Sequence, residues 1–183
     1  MKKIGIYILV CMMAFSATSC LDKYPENAIT ADDAITSIDE ADQAVIGIYS
    51  SFLSGALYSG YLTLLPDIQT DLVYAVNGYS NTYGDIWRWK DILATNGEIE
   101  AVYASLYAVI GRCNFLLDNA EELKKKLTDD DAIERLAQYC GEAYFARALA
   151  YVELIKLYCK SYEGDAEAQN ELGVVLRTSY ESD

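Results

Sequence analysis

Cys20 is the residue of this chain whose position most clearly suggests chemistry. It follows an apolar run over residues 4–15, which two lysines precede, and the small residues 17–19 stand directly before it. A basic start, an apolar run too short to span a bilayer and small residues before a cysteine are typical of a bacterial lipoprotein leader. We therefore predict a signal peptide over residues 1–19 and lipid attachment at Cys20, with a plain signal peptide cleaved nearby as the alternative.

The charge of the chain limits what it can bind. The formal net charge is −14, and removing the two lysines of the leader from −14 leaves −16. Such a surface repels nucleic acid and anionic lipid headgroups. Attachment to a membrane would therefore come from acyl chains at Cys20 alone.

No histidine occurs in the 183 residues, and this absence narrows the possible catalytic chemistry. Ser-His-Asp and Cys-His nucleophiles need the imidazole as a base, and the commonest zinc sites need it as a ligand. Asp129-Asp130-Asp131 lacks the alternating ligands and central glycine of a calcium loop. We expect a protein that is not an enzyme and has no metal or other cofactor, although the many carboxylates leave a glycosidase open as a third choice.

Three cysteines remain beyond Cys20, and an odd number does not form a disulfide framework. Cys140 and Cys159 fall on one predicted helix about 28 Å apart at 1.5 Å per residue, which is too far for a disulfide. Cys113 and Cys140 could meet on neighbouring antiparallel helices. Buried free thiols are the state we expect at such apolar positions.

Apolar residues that recur every three or four positions predict long helices. The first begins at Ser37, whose side chain would form a capping box with Glu40, and ends by Gly55. The second begins at a similar pair, Thr95 and Glu98, and ends in three lysines that suit the negative end of a helix dipole. Its apolar stripe consists of Ile99, Val102, Tyr103, Leu106, Ile110, Cys113 and Leu117.

The third predicted helix runs from about Asp130 to Lys160, after a cap and anions at residues 128–131. Its later half is apolar nearly all round, which predicts that it is the central helix. One side would carry Ile133, Leu136, Cys140, Tyr144, Ala148, Tyr151 and Ile155. Phe145 and Tyr151 would belong to the core, and Glu142 and Arg147 would pair internally.

Between the first two helices, residues 58–90 carry dispersed glycines and aromatic residues and are the most loop-like part of the chain. A short helical piece over residues 67–76 is the one regular element that we predict there. Near the end of the chain, residues 173–176 would form a short strand or an extended piece.

Four segments carry motifs that occur together in one known family. They are Cys20-Leu-Asp-Lys-Tyr-Pro-Glu-Asn-Ala-Ile-Thr30, Gly47-Ile-Tyr49, Tyr107-Ala-Val-Ile-Gly-Arg-Cys-Asn114 and Glu142-Ala-Tyr-Phe-Ala-Arg-Ala-Leu-Ala-Tyr151. In order and spacing they resemble the amino-terminal part of the SusD/RagB family, which are surface lipoproteins of Bacteroidetes. The resemblance covers nearly the whole chain.

This resemblance implies a fold class and a division of the chain. The fold would be all-α, with long antiparallel helices of tetratricopeptide-like type and an irregular aromatic-rich loop region. The lipidated tether would cover residues 20–36, and residues 37–183 would be the amino-terminal part of a SusD-like helical domain. Family members are much longer, so we expect a truncated chain.

The resemblance also implies a function. Family members capture glycans or other nutrients at the outer membrane, lipid-anchored and surface-exposed, and deliver them to a SusC-like TonB-dependent transporter. Capture would need no catalysis, and oligosaccharide or polysaccharide would be the ligand. The alternative is a helical docking or scaffold piece that contacts the transporter and leaves ligand recognition to a missing carboxy-terminal region.

Sugar binding needs a flat aromatic face for the ring, with amide, carboxylate or guanidinium groups for the hydroxyls. In SusD-type proteins the stretch before the second helix contributes to the glycan surface. The residues that match this requirement here are Asn81, Tyr83, Asp85, Trp87 and Trp89. We predict that Trp87 or Trp89 stacks on a sugar and that Asn81 or Asp85 binds a hydroxyl, whereas the competing interpretation makes both indoles core residues.

Overall fold

The computed structural model describes residues 34–70, 72–76, 83–90, 92–164 and 170–180. Within them the fold is all-α, as predicted. The helices are α1 (Ile38–Phe52), α2 (Tyr61–Gln69), the single turn α3 (Gly84–Trp87), α4 (Gly97–Lys126) and α5 (Asp130–Tyr158). None of these helices is both long and apolar enough to cross a membrane. The predicted signal peptide and Cys20 lie outside the described residues.

The capping box predicted for the first helix is confirmed. The Ser37 hydroxyl accepts a hydrogen bond from the Glu40 amide at 3.3 Å, and the Glu40 carboxylate accepts one from the Ser37 amide at 2.9 Å. These two bonds satisfy amides that have no partner within the helix. The helix α1 ends at Phe52, close to the predicted end at Gly55.

The start of α4 differs from the predicted one by one residue. The cap is Asn96 and not Thr95, because the Asn96 carboxamide oxygen accepts hydrogen bonds from the amides of Glu98 and Ile99, both at 3.1 Å. Asparagine is as strong an N-cap as any residue, so it takes the position next to Gly97. The predicted apolar stripe is largely confirmed, since these members are buried: Val102, Leu106, Ile110, Cys113 and Leu117.

The helices α4 and α5 are antiparallel neighbours. Three residues, 127–129, connect them, and the Asp129 carboxylate caps α5 by accepting a hydrogen bond from the Ala132 amide at 3.0 Å. At the other end of the pair, the Tyr158 hydroxyl donates to the Ile99 carbonyl at 2.7 Å. The two ends of the hairpin are therefore fixed by different kinds of contact.

The prediction that the third helix is central and buried nearly all round is wrong. The buried line of α5 is made mainly of small residues: Ala132, Leu136, Ala143, Ala146, Ala150 and Leu154. Alanines permit close approach of helices, so the larger residues beside them stay outside the contact. Phe145, predicted in the core, is 66% exposed, whereas Tyr151 is partly buried and packs against the core. The central helix is α4, which contacts α1, α2 and α5.

Glu142 and Arg147 each find partners inside the molecule, but not in one another. The Glu142 carboxylate accepts a hydrogen bond from the Gln138 side-chain nitrogen at 3.0 Å. Arg147 donates to the Asn114 carboxamide oxygen at 2.6 Å and lies over the Tyr144 ring at 5.1 Å from its centre. Arg147 is therefore tied to α4, whereas Glu142 is bonded within its own helix.

The helical piece predicted over residues 67–76 is wrong in its position. The helix α2 covers Tyr61–Gln69, and residues 72–76 are not helical. Every third residue of α2 is buried, namely Leu62, Leu65 and Ile68. Pro66 lies inside this helix, where it lacks the amide that would bond to the Leu62 carbonyl, and burial of the apolar face outweighs that loss.

Of the two predicted alternatives for residues 173–176, the strand is not formed, because these residues belong to neither a helix nor a strand. They are part of a segment (residues 174–180) that lies against α4 and α5, which we call the extended segment because its alternate carbonyls, at Val175, Arg177 and Ser179, accept hydrogen bonds from these helices. Its first tie to the helices is the Tyr107 hydroxyl, which donates to the Val175 carbonyl at 2.8 Å.

Candidate ligand-binding surface

The predicted binding residues belong to an aromatic segment, which we define as the described residues between 61 and 94. The structure describes four of the five: Tyr83, Asp85, Trp87 and Trp89. Asn81 lies outside the described residues. The four occupy α3 and its flanks, so a single helical turn sets their directions.

Tyr83 is the residue that starts α3. Its φ of 58° is left-handed, and its carbonyl accepts the first hydrogen bond of the turn from the Trp87 amide at 2.9 Å. The ring is half-buried and meets the Tyr61 ring edge-on, with 6.2 Å between ring centres. Burial raises the pKa of Tyr83 above its usual 10.0, and the nearby Tyr61 adds to this. Tyr83 therefore anchors the turn to α2.

Trp87 closes the turn and is half-buried against the core. Its ring is tilted against that of Tyr74, with the centres 6.5 Å apart, and the Arg88 guanidinium lies 5.5 Å from the indole centre. A guanidinium over an indole is a favourable cation–π arrangement. Because Tyr74 and Arg88 both contact its indole, Trp87 has less ring surface open to a sugar than a tryptophan without such neighbours would have.

Trp89 differs from Trp87 in backbone and exposure. Its φ is 53°, again left-handed, and 66% of the residue is exposed. The indole nitrogen donates a hydrogen bond to the Gln69 carbonyl at 3.1 Å, at the end of α2. This bond holds the polar edge of the ring and leaves the side chain largely in solvent, so the ring is available for stacking.

Two aromatic residues with left-handed backbone thus flank a four-residue helix. This conformation costs a non-glycine residue about 1 kcal/mol or more, and such positions cluster at functional sites. The strain is distributed over Tyr83 and Trp89, whose side chains are fixed to α2 from either side of α3. This arrangement fixes the direction of the Trp89 side chain, and it therefore favours a function that depends on that direction.

Asp85 and Tyr74 add chemistry beside the indoles. Asp85 is exposed in the first turn of α3, and its carbonyl oxygen accepts a hydrogen bond from the Lys90 amide at 2.9 Å. Tyr74 was not among the predicted site residues, yet it is 73% exposed and its ring contacts Trp87. The signal that could have identified it is an aromatic residue in a loop-like stretch between glycine clusters.

A cavity of about 300 Å³ lies beneath this surface, between α2, residues 92–94, the start of α4 and the end of α5. Its walls are largely apolar and include Leu62, Leu65 and Val102. The hydroxyl of Tyr158, which lines it, is already bonded to the Ile99 carbonyl, and burial raises the pKa of Tyr158 to about 12. An apolar cavity of this kind offers few partners for sugar hydroxyls, so the exposed aromatic surface is the better candidate.

Cysteine and carboxylate side chains do not assemble into another site in the part of the chain that the structure describes. No group of three or more metal-ligating side chains occurs there. Cys113, Cys140 and Cys159 are free thiols. Burial raises the pKa of Cys113 to about 11, so this thiol stays protonated and is a poor nucleophile at neutral pH.

Comparison with known proteins adds a family. A family model described as starch-binding and associating with the outer membrane matches residues 20–183. The SusD-like protein P25 of Formosa agariphila is 25% identical over 182 residues, which are 93% of this chain and 32% of that protein. The SusD-like protein P2 of the same organism is 27% identical over 163 residues, or 86% of this chain and 30% of that protein. The chain thus spans about a third of the length of these curated relatives, and no solved structure matches it significantly.

Proposed function

Since this chain belongs to the SusD-like family, described as starch-binding and associating with the outer membrane, we propose that it captures a glycan or another nutrient at the cell surface and delivers it to a partner TonB-dependent transporter. The observation that carries the proposal is the Trp89 ring, which is exposed while its nitrogen is bonded to the Gln69 carbonyl. A ring held in this way loses little conformational freedom when a sugar stacks on it.

The polar partners of the sugar would come from the same surface. Asp85 is exposed four residues before Trp89, and the Arg88 guanidinium lies over the neighbouring indole of Trp87. We propose that Asp85, with Asn81, binds hydroxyls, while Tyr74 extends the apolar face. Trp87 then serves mainly as the support on which this surface rests.

The mechanism is capture without catalysis. The family is described as starch-binding, and the sequence contains no histidine that could act as a base near neutral pH. A lipid on Cys20 would hold the protein at the outer membrane, with the binding surface outside the cell. Replacing Cys20 by serine should then release the protein from the membrane fraction, and the native protein should carry the mass of the acyl chains.

The test of the binding proposal uses the complete protein and a panel of polysaccharides that includes starch. Trp89→Ala should weaken binding of the recognised glycan about fivefold, because a stacked aromatic face contributes about 1 kcal/mol. Trp89→Phe should retain more affinity, since it keeps a ring but loses the bond to Gln69. Tyr162→Ala is the matched control, because Tyr162 is equally exposed but lies outside the aromatic segment.

Unchanged affinity of Trp89→Ala and Trp87→Ala for every glycan that the wild type binds would contradict this surface. If the complex with the transporter stayed intact at the same time, the docking alternative would be favoured. One observation supports that alternative, namely the apolar and exposed side chains of Phe145, Val152 and Ile155 on one face of α5. Phe145→Ser should then weaken co-purification with the transporter and leave glycan binding unchanged.

A further inference from the structure

The extended segment (residues 174–180) is held to α4 and α5 through its main chain. The Tyr107 hydroxyl donates to the Val175 carbonyl at 2.8 Å. The Tyr151 hydroxyl donates to the Arg177 carbonyl at 2.8 Å and accepts a hydrogen bond from the Arg177 amide at 2.6 Å. One tyrosine from each helix therefore reaches the backbone and not a side chain.

Asn114 supplies the centre of this contact. It is 1% exposed and is the one buried polar or charged residue among those that the structure describes. Its side-chain nitrogen donates to the carbonyls of Arg177 at 3.1 Å and Ser179 at 3.0 Å. The side-chain oxygen accepts from the Arg147 guanidinium at 2.6 Å, which leaves the nitrogen directed at the segment.

The accepting carbonyls follow the repeat of an extended chain. Those of Val175, Arg177 and Ser179 are two residues apart, and alternate carbonyls of an extended chain point to the same side. The intervening carbonyl, that of Thr178, makes only a longer bond of 3.3 Å with Arg147. The helices therefore make more bonds to one side of the segment, while the Thr178 carbonyl and the Tyr180 amide on the other side reach Arg147 and Asp118.

The spacings along the helix and along the segment also agree. The Asp118 carboxylate accepts a hydrogen bond from the Tyr180 amide at 2.6 Å, so Tyr107 and Asp118 contact the segment five residues apart. Eleven residues of helix rise about 16.5 Å, and five residues of extended chain span about 16.5 Å. The segment therefore runs alongside α4 in a matched register.

The side chains of Val175 and Leu176 contribute little to this contact. Val175 and Leu176 are 64% and 71% exposed. Side-chain packing occurs at the ends, where Val174 contacts the core and the Tyr180 ring meets that of Phe115 at 5.0 Å. Recognition between these ends depends mainly on backbone groups, which every non-proline residue provides, and the half-buried Arg177 is the exception.

We infer that Tyr107, Asn114, Arg147 and Tyr151 form a main-chain clamp, which binds an extended peptide segment in the groove between α4 and α5 largely regardless of its side chains. Its occupant is the chain's own residues 175–179. The four residues stand in two of the segments that resemble the SusD/RagB family, so the clamp gives those motif positions a role distinct from glycan binding.

The experiment measures amide hydrogen exchange of residues 172–180 in the full chain, together with trypsin cleavage after Arg177. Tyr151→Phe should speed exchange of the Arg177 amide about tenfold, because it removes the acceptor of that amide and a donor to the same residue's carbonyl. Asn114→Ala should release the segment further, with cleavage about a hundredfold faster. Exchange within α4 and α5 should change little in Tyr151→Phe.

Two controls keep the inference falsifiable. Asn119→Ala removes a half-buried carboxamide whose nitrogen donates a hydrogen bond within α4, to the Phe115 carbonyl. This variant should leave the segment protected. Leu176→Ser changes an exposed side chain of the segment and should also leave it protected. The clamp is overturned if Leu176→Ser frees the segment as much as Asn114→Ala, or if Tyr151→Phe leaves the Arg177 amide unchanged. Should Asn114→Ala unfold the helices, Tyr107→Phe and Tyr151→Phe decide the question alone.

Discussion

The helical pair α4–α5 and the aromatic segment use aromatic side chains in opposite ways. In the pair, the hydroxyls of Tyr107, Tyr151 and Tyr158 all donate to main-chain carbonyls. Each ring packs against the core while its hydroxyl binds a main-chain group. In the aromatic segment, Tyr74 and Trp89 direct large rings to solvent. Sixteen tyrosines therefore do not by themselves locate a binding surface.

The difference extends to the backbone. Both left-handed non-glycine residues in the described part of the chain, Tyr83 and Trp89, flank α3, whereas α4 and α5 are regular over 30 and 29 residues. Regular helices secure their own hydrogen bonds and bury an apolar face. The aromatic segment is held by single hydrogen bonds, such as the bond from Trp89 to Gln69. We therefore expect a substitution there to lower the free energy of unfolding less than a substitution in the buried helices.

The largest contrast is expected for truncation in the core. Leu106→Ala should lower the free energy of unfolding by about 2–5 kcal/mol, because Leu106 is fully buried on α4 and its loss leaves a cavity. Leu172→Ala, at an exposed leucine, should change it by less than about 0.5 kcal/mol. Urea unfolding followed by circular dichroism measures both. The comparison fails if Trp89→Ala proves as destabilising as Leu106→Ala.

A second prediction concerns Gly60, in the turn that leads into α2, and it compares the stability of the aromatic segment with that of the helical pair. An alanine Cβ at Gly60 would overlap the Gly55 carbonyl oxygen in the turn between α1 and α2. Gly60→Ala should therefore destabilise the protein by about 1–3 kcal/mol through overpacking. Gly55→Ala is the matched control, since a Cβ there meets nothing within 4 Å. Hydrogen exchange should show the loss of protection in α2 before α4, and uniform loss would argue against separate stability of the two regions.

The sequence predicted the regular half of the fold better than the half that carries the candidate site. Caps and apolar spacing placed α1, α4 and α5 within a few residues, because those signals are local. The burial of α5 was misjudged, since a line of alanines such as Ala146 forms the contact and leaves Phe145 outside. Which of two apolar faces is covered depends on the neighbouring helices, which periodicity alone does not specify.

The aromatic segment was predictable in composition and not in geometry. The composition predicted Trp87 and Trp89 as alternative stacking residues. Only the structure shows that the Trp87 indole is half-buried beside the Arg88 guanidinium, whereas the Trp89 indole is exposed and bonded to the Gln69 carbonyl. Left-handed backbone at Tyr83 and Trp89 leaves no mark in the sequence, because such conformations are typical of glycine and asparagine. The function of these residues stays a prediction until binding is measured.

A smaller effect tests where α4 begins. Asn96→Ala should cost about 1 kcal/mol, because the amides of Glu98 and Ile99 lose the acceptor that caps them. Thr95→Ala should be nearly neutral, since Thr95 is exposed and lies outside the cap. Thermal unfolding of both variants, with the double variant as a check on coupling, measures the difference. The reverse order would restore Thr95 as the cap that the spacing with Glu98 suggested.

The last expected effect is confined to alkaline pH and arises in the helical pair. Burial raises the pKa of Cys113 from 9.0 to about 11, so the folded protein keeps a proton that the unfolded chain releases. Stability therefore falls as the pH rises from about 9, and this contribution ends near pH 11. One proton corresponds to at most about 1.4 kcal/mol per pH unit.

Cys113→Ala should remove that slope whatever it does to the stability at neutral pH, because the argument concerns the proton and not the volume of the side chain. Urea midpoints at pH 8, 9 and 10 would therefore fall less steeply in Cys113→Ala than in the wild type. Cys159→Ala, at a half-buried thiol beyond the end of α5, is the control and should keep the wild-type slope. Equal slopes in all three proteins would instead point to Cys140, whose pKa burial also raises from 9.0, because Tyr107 and Tyr158, with pKa values raised from 10.0 to about 12, lower the stability only above about pH 10. Either result assigns the sensitivity to a thiol of the α4–α5 pair, whose pKa is raised because the helices bury it.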